Sequence, residues 1–154
     1  TNWRVLDSDQ ALNEVIATIR AFRKRRAGLK TALGTALAFS VDLLKERKQC
    51  WKRTIDVAGD GKNNVGMTPN EAYLMPEFIG ITVNALVIGE PGPDDDDASE
   101  GAASRLALDD YYRKDVIRGP GAFSMIAWGY RDYARAMREK LLKELSLPVL
   151  GHLQ

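Results

Sequence analysis

Apolar residues along the chain recur at two different spacings, which predict helices and strands in alternation. Four segments carry apolar side chains every three or four residues, as amphipathic helices do. Three shorter segments between them are rich in apolar and β-branched residues, as buried strands are. The predicted helices cover about 9–23, 31–48, 106–117 and 130–145, and the predicted strands cover about 52–57, 81–88 and 122–128. This order predicts an α/β layer fold with a mainly parallel sheet.

The helical spacing also indicates which side chains face a core. The second helix places four aliphatic side chains on one face: Leu33, Leu37, Val41 and Leu44. The last helix has an apolar face that is predicted to contain Tyr130, Tyr133, Ala134, Met137, Leu141 and Leu145. A further short helix is predicted to begin at Thr68, because a capping threonine, Pro69 and Glu71 form a helix-start signal. Pro76 limits its length, since proline cannot donate a backbone hydrogen bond within a helix.

The length and charge of the chain predict a single domain without a large excess of either charge. The chain has 154 residues, with 22 basic and 21 acidic residues and a formal net charge of +1. We expect one domain over 1–147, with an exposed acidic loop over 90–103 and a flexible tail over 148–154. The near-neutral balance gives no whole-domain case for a nucleic-acid or anionic-membrane partner. No apolar segment approaches the roughly 20 residues of a membrane span.

Asp60 is the first candidate functional residue. It follows the first predicted strand in a glycine-flanked turn, and ligands of parallel sheets bind beyond the carboxyl ends of the strands. An aspartate that stabilises its own turn explains the same position equally well. The loop fits neither a Walker A, an EF-hand nor a dinucleotide-binding pattern. Cys50 and His152 are single residues of their types, so a closed zinc site and a histidine-based triad are both disfavoured.

Four sequence blocks occur in an order that points to a known type of domain. They are KTALGTAL at 30–37, RTIDVAGDGKNN at 53–64, ITVNAL at 81–86 and YYRKDVIRGPGAF at 111–123. In these blocks the chain resembles an uncharacterised bacterial family of von Willebrand factor type A-like domain proteins. The resemblance covers about residues 3–145, and it implies a three-layer, doubly wound, Rossmann-like fold.

The resemblance also implies a metal-ion-dependent adhesion site. Such a site holds Mg²⁺ or another divalent cation through an Asp-x-Ser-x-Ser loop, a threonine from a second loop and an aspartate from a third. The resemblance assigns the threonine to Thr31 and the aspartate to Asp60. A hard cation prefers oxygen ligands of this kind and keeps open positions for a carboxylate of a protein partner.

The Asp-x-Ser-x-Ser loop does not occur in the 154 residues. We therefore expect the chain to be the C-terminal portion of such a domain, without its first strands and with an incomplete site. Mg²⁺ should bind weakly or not at all unless the missing N-terminal ligand loop is supplied. The missing strands would leave a bare sheet edge, which favours pairing with the N-terminal portion of the same protein or with a second copy.

Three functions remain as hypotheses at this point. The leading one is a non-enzymatic protein-binding module with an incomplete metal-ion-dependent adhesion site. An alternative is a small α/β hydrolase or phosphotransfer enzyme that uses Asp60, with Lys62 or the basic run 23–26 orienting an anion. The basic run is more simply explained as a solvated turn at the end of a helix, because the helix dipole favours cations there. The third is a truncated fragment without ligand activity. By resemblance, an exported or periplasmic location is compatible with the chain.

Overall fold

The computed structural model describes residues 3–22, 30–89 and 106–146. The chain divides into two compact units, residues 1–30 and residues 31–154. The first unit contains one helix, α1 (Asp9–Ala21), which begins where the Ser8 hydroxyl accepts a hydrogen bond from the amide of Ala11 at 3.2 Å. No residue of α1 is buried, although Leu12 and Ile19 lie on its predicted apolar face.

The second unit contains the sheet and the other helices. Its elements in chain order are α2 (Leu33–Leu44), β1 (Arg53–Gly59), α3 (Pro69–Ala72), β2 (Ile81–Gly89), α4 (106–111, continued by a π-helical turn over Tyr112–Val116), β3 (Ser124–Trp128) and α5 (Tyr133–Leu145). Short 3₁₀ turns occupy Lys45–Arg47 and Pro76–Phe78. The predicted start of α3 is confirmed, because Thr68 and Glu71 form a reciprocal capping box there.

The three strands form one parallel sheet in the order β1-β2-β3. Ile55 of β1 lies opposite Val83 of β2, and Leu86 of β2 lies opposite Met125 of β3. All nine residues of the central strand β2 are buried, as its continuous apolar run predicts. The predicted parallel α/β fold is therefore confirmed. In the described residues, β1 pairs with no second strand along its outer edge.

Helices cover both faces of the sheet. On one face α2 and α3 pack on the strands around Leu37, Val41, Ile55 and Val83, and α4 packs next to them through Tyr112. On the other face α5 packs on the strands in a second core cluster that contains Leu86, Ala127 and Ala136. The predicted face of α2 is confirmed, since its four aliphatic side chains are all buried. The sheet flanked by helices is consistent with a Rossmann-like fold.

Two boundary predictions need adjustment, and others lie outside the described residues. The predicted helix over 106–117 is α-helical only to residue 111 and then widens into the π-helical turn. The predicted helix over 31–48 begins at Leu33 and ends in the 3₁₀ turn. The basic run 23–26, the whole acidic loop 90–103 and the tail 148–154 lie outside the described residues. No helix of the described part is long and apolar enough to cross a membrane.

The helix α5 buries a charge where its sequence predicts an apolar face. Ala136 and Lys140 are its two buried residues, whereas Leu141 is 41% exposed and Leu145 is 77% exposed. Lys140 forms ion pairs with Asp56 of β1 and with Glu144, the latter at 2.5 Å. The carboxylate of Glu144 also accepts a hydrogen bond from the Asn84 amide at 2.7 Å. The polar side chains of the strands therefore determine which face of α5 turns inward.

We expect this buried network to be sensitive to the loss of a single charge. Burial lowers the pKa of Lys140, because an ammonium group loses its hydration in the interior. Removing it as Lys140→Met leaves Glu144 charged and nearly buried. We expect the free energy of unfolding, measured by urea denaturation, to fall by about 3 kcal/mol. The double variant Lys140→Met/Glu144→Gln should be more stable than the single variant, because it removes the uncompensated charge and keeps an acceptor for Asn84. Additive losses in the double variant would contradict this account.

Candidate functional site

Asp60 lies where the sequence places it, directly after β1 at the carboxyl end of the sheet. The residue is exposed, and its Oδ2 atom accepts a hydrogen bond from the hydroxyl of Tyr130 at 2.6 Å. Tyr130 follows β3, so the contact joins the two loops that leave the outer strands of the sheet. The carboxylate is thus held in an oriented position at the edge where ligands of parallel sheets bind.

Thr31 lies against the loop that contains Asp60. The Thr31 amide donates to Oδ1 of Asn64 at 2.8 Å, and the Asn64 amide donates to the Thr31 carbonyl at 2.9 Å. The Thr31 hydroxyl oxygen lies 3.4 Å from the position that a Cβ atom on Gly61 would occupy. Gly61 is the neighbour of Asp60 in sequence. The structure therefore brings the predicted threonine beside the residue that adjoins the predicted aspartate.

The amide side chain of Asn63 makes a second link between the loop and helix α2. Its Oδ1 atom accepts a hydrogen bond from the amide of Gly34 at 3.3 Å, in the first turn of the helix. The first amides of a helix have no acceptor within the helix, so this side chain satisfies one of them. Two consecutive asparagines thus join the Gly-Asp-Gly-Lys-Asn-Asn loop to this part of the chain, Asn63 to the first turn of α2 and Asn64 to Thr31 just before the helix.

Three tyrosines complete the surroundings of the loop, and sequence reasoning did not assign them to the site. Besides the contact of Tyr130, the Tyr112 hydroxyl donates to the Gly61 carbonyl at 3.1 Å, and the Tyr111 hydroxyl accepts from the Asn63 amide at 3.2 Å. Tyr111 and Tyr112 belong to one of the four blocks that carry the resemblance. Because this block and the block that contains Asp60 both carry the resemblance, their joint occurrence was the sequence signal that could have assigned the two tyrosines to the site.

The close approach of Tyr112 depends on a glycine at the end of β1. A Cβ atom on Gly59 would lie 2.2 Å from the Tyr112 hydroxyl oxygen, far closer than two such atoms can come. Tyr112 is fully buried, and burial raises the pKa of its hydroxyl well above the ordinary value. The hydroxyl stays protonated at neutral pH and serves as a permanent donor to the loop.

A tight turn after β3 carries Tyr130 to the site. Oδ2 of Asp132 accepts a hydrogen bond from the amide of Trp128 at 2.9 Å, and Gly129 within the turn has a positive φ of 79°. Arg135 donates to both carboxylate oxygens of Asp132 at 2.6 Å. These bonds lower the pKa of Asp132 to about 2, so the turn keeps its charged acceptor at neutral pH. The orientation of Tyr130 thus rests on contacts made within the eight residues from Trp128 to Arg135.

The oxygen atoms of this site are the type of ligand that a hard cation prefers, but the site has too few of them. Thr31 and Asp60 offer oxygen atoms, with one negative charge between them, and Mg²⁺ prefers oxygen ligands in a near-octahedral arrangement. Within the described residues, no group of three or more His, Cys, Asp or Glu side chains is placed to hold a metal. Thr31 and Asp60 would therefore supply only part of a ligand set. Lys62, the proposed anion-orienting residue, has its ammonium 5.7 Å from the centre of the Tyr111 ring.

A comparison with protein families matches the chain over residues 1–149 to a family described as "Protein of unknown function (DUF1194)". The chain belongs to this family. No curated protein and no solved structure matches it. The match covers nearly the whole chain, including every residue of the site in this DUF1194 domain. The family match does not test the expected relationship to von Willebrand factor A-like domains, so that relationship stays a prediction.

We expect Gly59 to be essential for the packing of Tyr112 under the loop. Gly59→Ala forces the tyrosine hydroxyl away from Gly61 and should lower the free energy of unfolding by about 1–3 kcal/mol. The matched control is Gly61→Ala, whose new Cβ atom meets Thr31 at an ordinary contact distance and should cost less.

A second substitution tests the cause of this effect. Adding Tyr112→Phe to Gly59→Ala removes the clashing oxygen, so the double variant should recover part of the lost stability. Thermal denaturation of the four proteins measures the coupling between the two positions. If the two losses simply add, the contact between Gly59 and the tyrosine hydroxyl does not determine the packing here.

Proposed function

We propose that this domain is a non-enzymatic protein-binding module of the von Willebrand factor A-like kind, with its binding site at the carboxyl end of the sheet. The observation that carries the proposal is the cross-connection between Thr31 and the Asp60 loop. Thr31 and Asn64, which are 33 positions apart in the sequence, are joined by a pair of hydrogen bonds. A shared cation needs its ligand loops held side by side, so this contact supports the proposal.

The chemistry around Asp60 supports binding rather than proton transfer. The contacts described above are made by the amide side chains of Asn63 and Asn64 in the loop, by the Thr31 backbone and by the hydroxyls of the three tyrosines. Hydroxyl and amide groups of this type orient a carboxylate by hydrogen bonding. The hydrolase or phosphotransfer alternative needs a base or nucleophile beside Asp60, and no histidine or cysteine is among these groups.

Within this proposal, Mg²⁺ or another divalent cation would use Asp60 and Thr31 as two of its ligands. The cation would supply an attachment point for a carboxylate of the protein partner, because a hard cation binds carboxylate oxygens strongly. The remaining ligands would come from outside the residues described above. Asp60 contributes the only negative charge, so its removal should matter more than that of the neutral Thr31.

The partner would also have the outer edge of β1 available. In the described residues this edge pairs with no strand, and exposed backbone groups of an edge strand are ready to pair with an added strand. The occupant that we propose is the N-terminal portion of the same protein or a second copy. Such pairing would place further oxygen ligands close to Asp60, which follows the edge strand directly.

Titration calorimetry with Mg²⁺ alone tests the site in the chain of 154 residues. Because two ligands are too few to replace much of the hydration of Mg²⁺, we expect a dissociation constant on the order of millimolar or weaker. Asp60→Asn should weaken binding further by at least about tenfold, and Thr31→Val should weaken it less. The control is Asp42→Asn, an exposed aspartate near the far end of α2 that pairs with Lys45.

Two results would contradict the proposal. Micromolar Mg²⁺ binding that Asp60→Ala abolishes would show that the chain already forms a complete site. Binding that responds equally to Asp42→Asn and Asp60→Asn would show that the carboxyl end of the sheet holds no cation of its own.

A further inference from the structure

The amino end of the sheet, opposite the candidate site, carries a local concentration of positive charge around an exposed tryptophan. The segment 45–53 (KERKQCWKR) contains five basic residues and one acidic residue. Trp51 within it is 81% exposed. The near-neutral net charge of the whole chain therefore conceals a basic surface at one end of the molecule.

Two clefts show that this surface is continuous. One cleft of about 560 Å³ is lined by Trp51, Lys52, Arg53 and Leu145 among others. A second cleft, also of about 560 Å³, is lined by Lys48, Arg53 and Ile79 among others. Arg53, at the start of β1, belongs to both. We call the surface formed by these six residues the basic end.

Two carboxylates, those of Glu77 and Glu144, line the clefts themselves and are each paired with a lysine, while Glu46 of the segment is exposed. Asp42 and Glu77 both pair with Lys45, and Glu144 pairs with the buried Lys140. Lys52 and Arg53 instead donate to main-chain carbonyls, those of Glu144 at 3.2 Å and Ile79 at 3.3 Å. Among the described residues, no carboxylate forms an ion pair with Lys52 or Arg53, so their oriented charges attract anions from outside.

Apolar side chains accompany these cations on three separate elements. Trp51 precedes β1, Ile79 precedes β2, and Leu145 ends α5, and the last two are each 77% exposed. Exposed apolar tips next to lysine and arginine are typical of surfaces that insert shallowly into a lipid interface, where tryptophan is favoured. A partner made of anionic headgroups above an apolar layer complements both features, whereas an acidic protein complements the charge alone.

We propose that the basic end binds the surface of a membrane that contains anionic lipids. Lys48, Lys52 and Arg53 contact the headgroups, and Trp51, Ile79 and Leu145 enter the interface. Because all strands are parallel, this orientation turns the carboxyl end of the sheet away from the lipid. The proposal stands independently of the cation site, since the two surfaces share no residue.

Sedimentation of the 154-residue chain with lipid vesicles tests the proposal. We expect binding to vesicles of equal parts phosphatidylcholine and phosphatidylglycerol, little binding to pure phosphatidylcholine, and a decrease as salt is added. The double variant Lys48→Gln/Lys52→Gln should bind about 25-fold more weakly, at about fivefold for each charge lost. Lys114→Gln/Arg138→Gln removes the same charge from exposed positions elsewhere and should change binding far less.

Fluorescence of Trp51 provides a second readout. In a Trp3→Phe/Trp128→Phe background with an unchanged circular dichroism spectrum, anionic vesicles should shift the emission of Trp51 to shorter wavelength. Equal binding to neutral and anionic vesicles would overturn the proposal, as would equal effects of the two charge variants. Binding to poly-glutamate without binding to vesicles would overturn it in favour of an acidic protein partner.

Discussion

The burial of the central strand β2 on both faces is the constraint on which the rest of the structure depends. A strand that exposes none of its nine residues needs a neighbour on each side and a helical layer above and below. Parallel neighbours require crossover connections, whose helices α3 and α4 cover one face together with α2, while α5 after β3 covers the other face. The same constraint makes polar residues in β2 costly. Asn84 is tolerated because it bonds both the Glu144 carboxylate and the amide of Phe123.

Parallel packing also gives the sheet two chemically different ends. At the carboxyl end, the loops after β1 and β3 meet through Asp60 and Tyr130, and Thr31 joins them from the start of α2. Hydroxyl, amide and carboxylate oxygens dominate there. At the amino end, Lys48, Lys52 and Arg53 gather around Trp51. The proposed functions of the two ends follow from this separation, since oxygen ligands favour cations and basic side chains favour anions.

Sequence reasoning was most successful where a pattern is local. The continuous apolar run predicted β2 to within one residue, and Thr68 with Glu71 predicted the start of α3, because strand burial and helix capping depend on neighbours in the chain. The position of Asp60 after a strand was predicted for the same reason. Whether it shares a cation with Thr31 stays a prediction, although the contact of Thr31 with its loop supports it.

Features that depend on distant residues were missed. The helical pattern of α5 predicted that Leu141 faces the core, but Asp56 and Asn84 place polar groups on the strands beneath it. The helix therefore turns Lys140 inward, which no pattern within 130–145 indicates. Tyr130 was likewise assigned to an apolar face, whereas its hydroxyl bonds Asp60, a residue 70 positions away. Such contacts become visible only when the register of β1 and β2 is known.

The central claim is that Thr31 and the Asp60 loop form one oxygen-rich site at the carboxyl end of the sheet. Paramagnetic broadening of amide resonances by small amounts of Mn²⁺ tests it most directly, because the effect detects even weakly bound ions close to the observed nuclei. The account predicts that the amides of Thr31, Asp60 and Gly61 broaden first and together, and that Asp60→Asn abolishes the effect at all three. Broadening confined to other carboxylates, or broadening of Asp60 and Gly61 that leaves Thr31 unchanged, would contradict it.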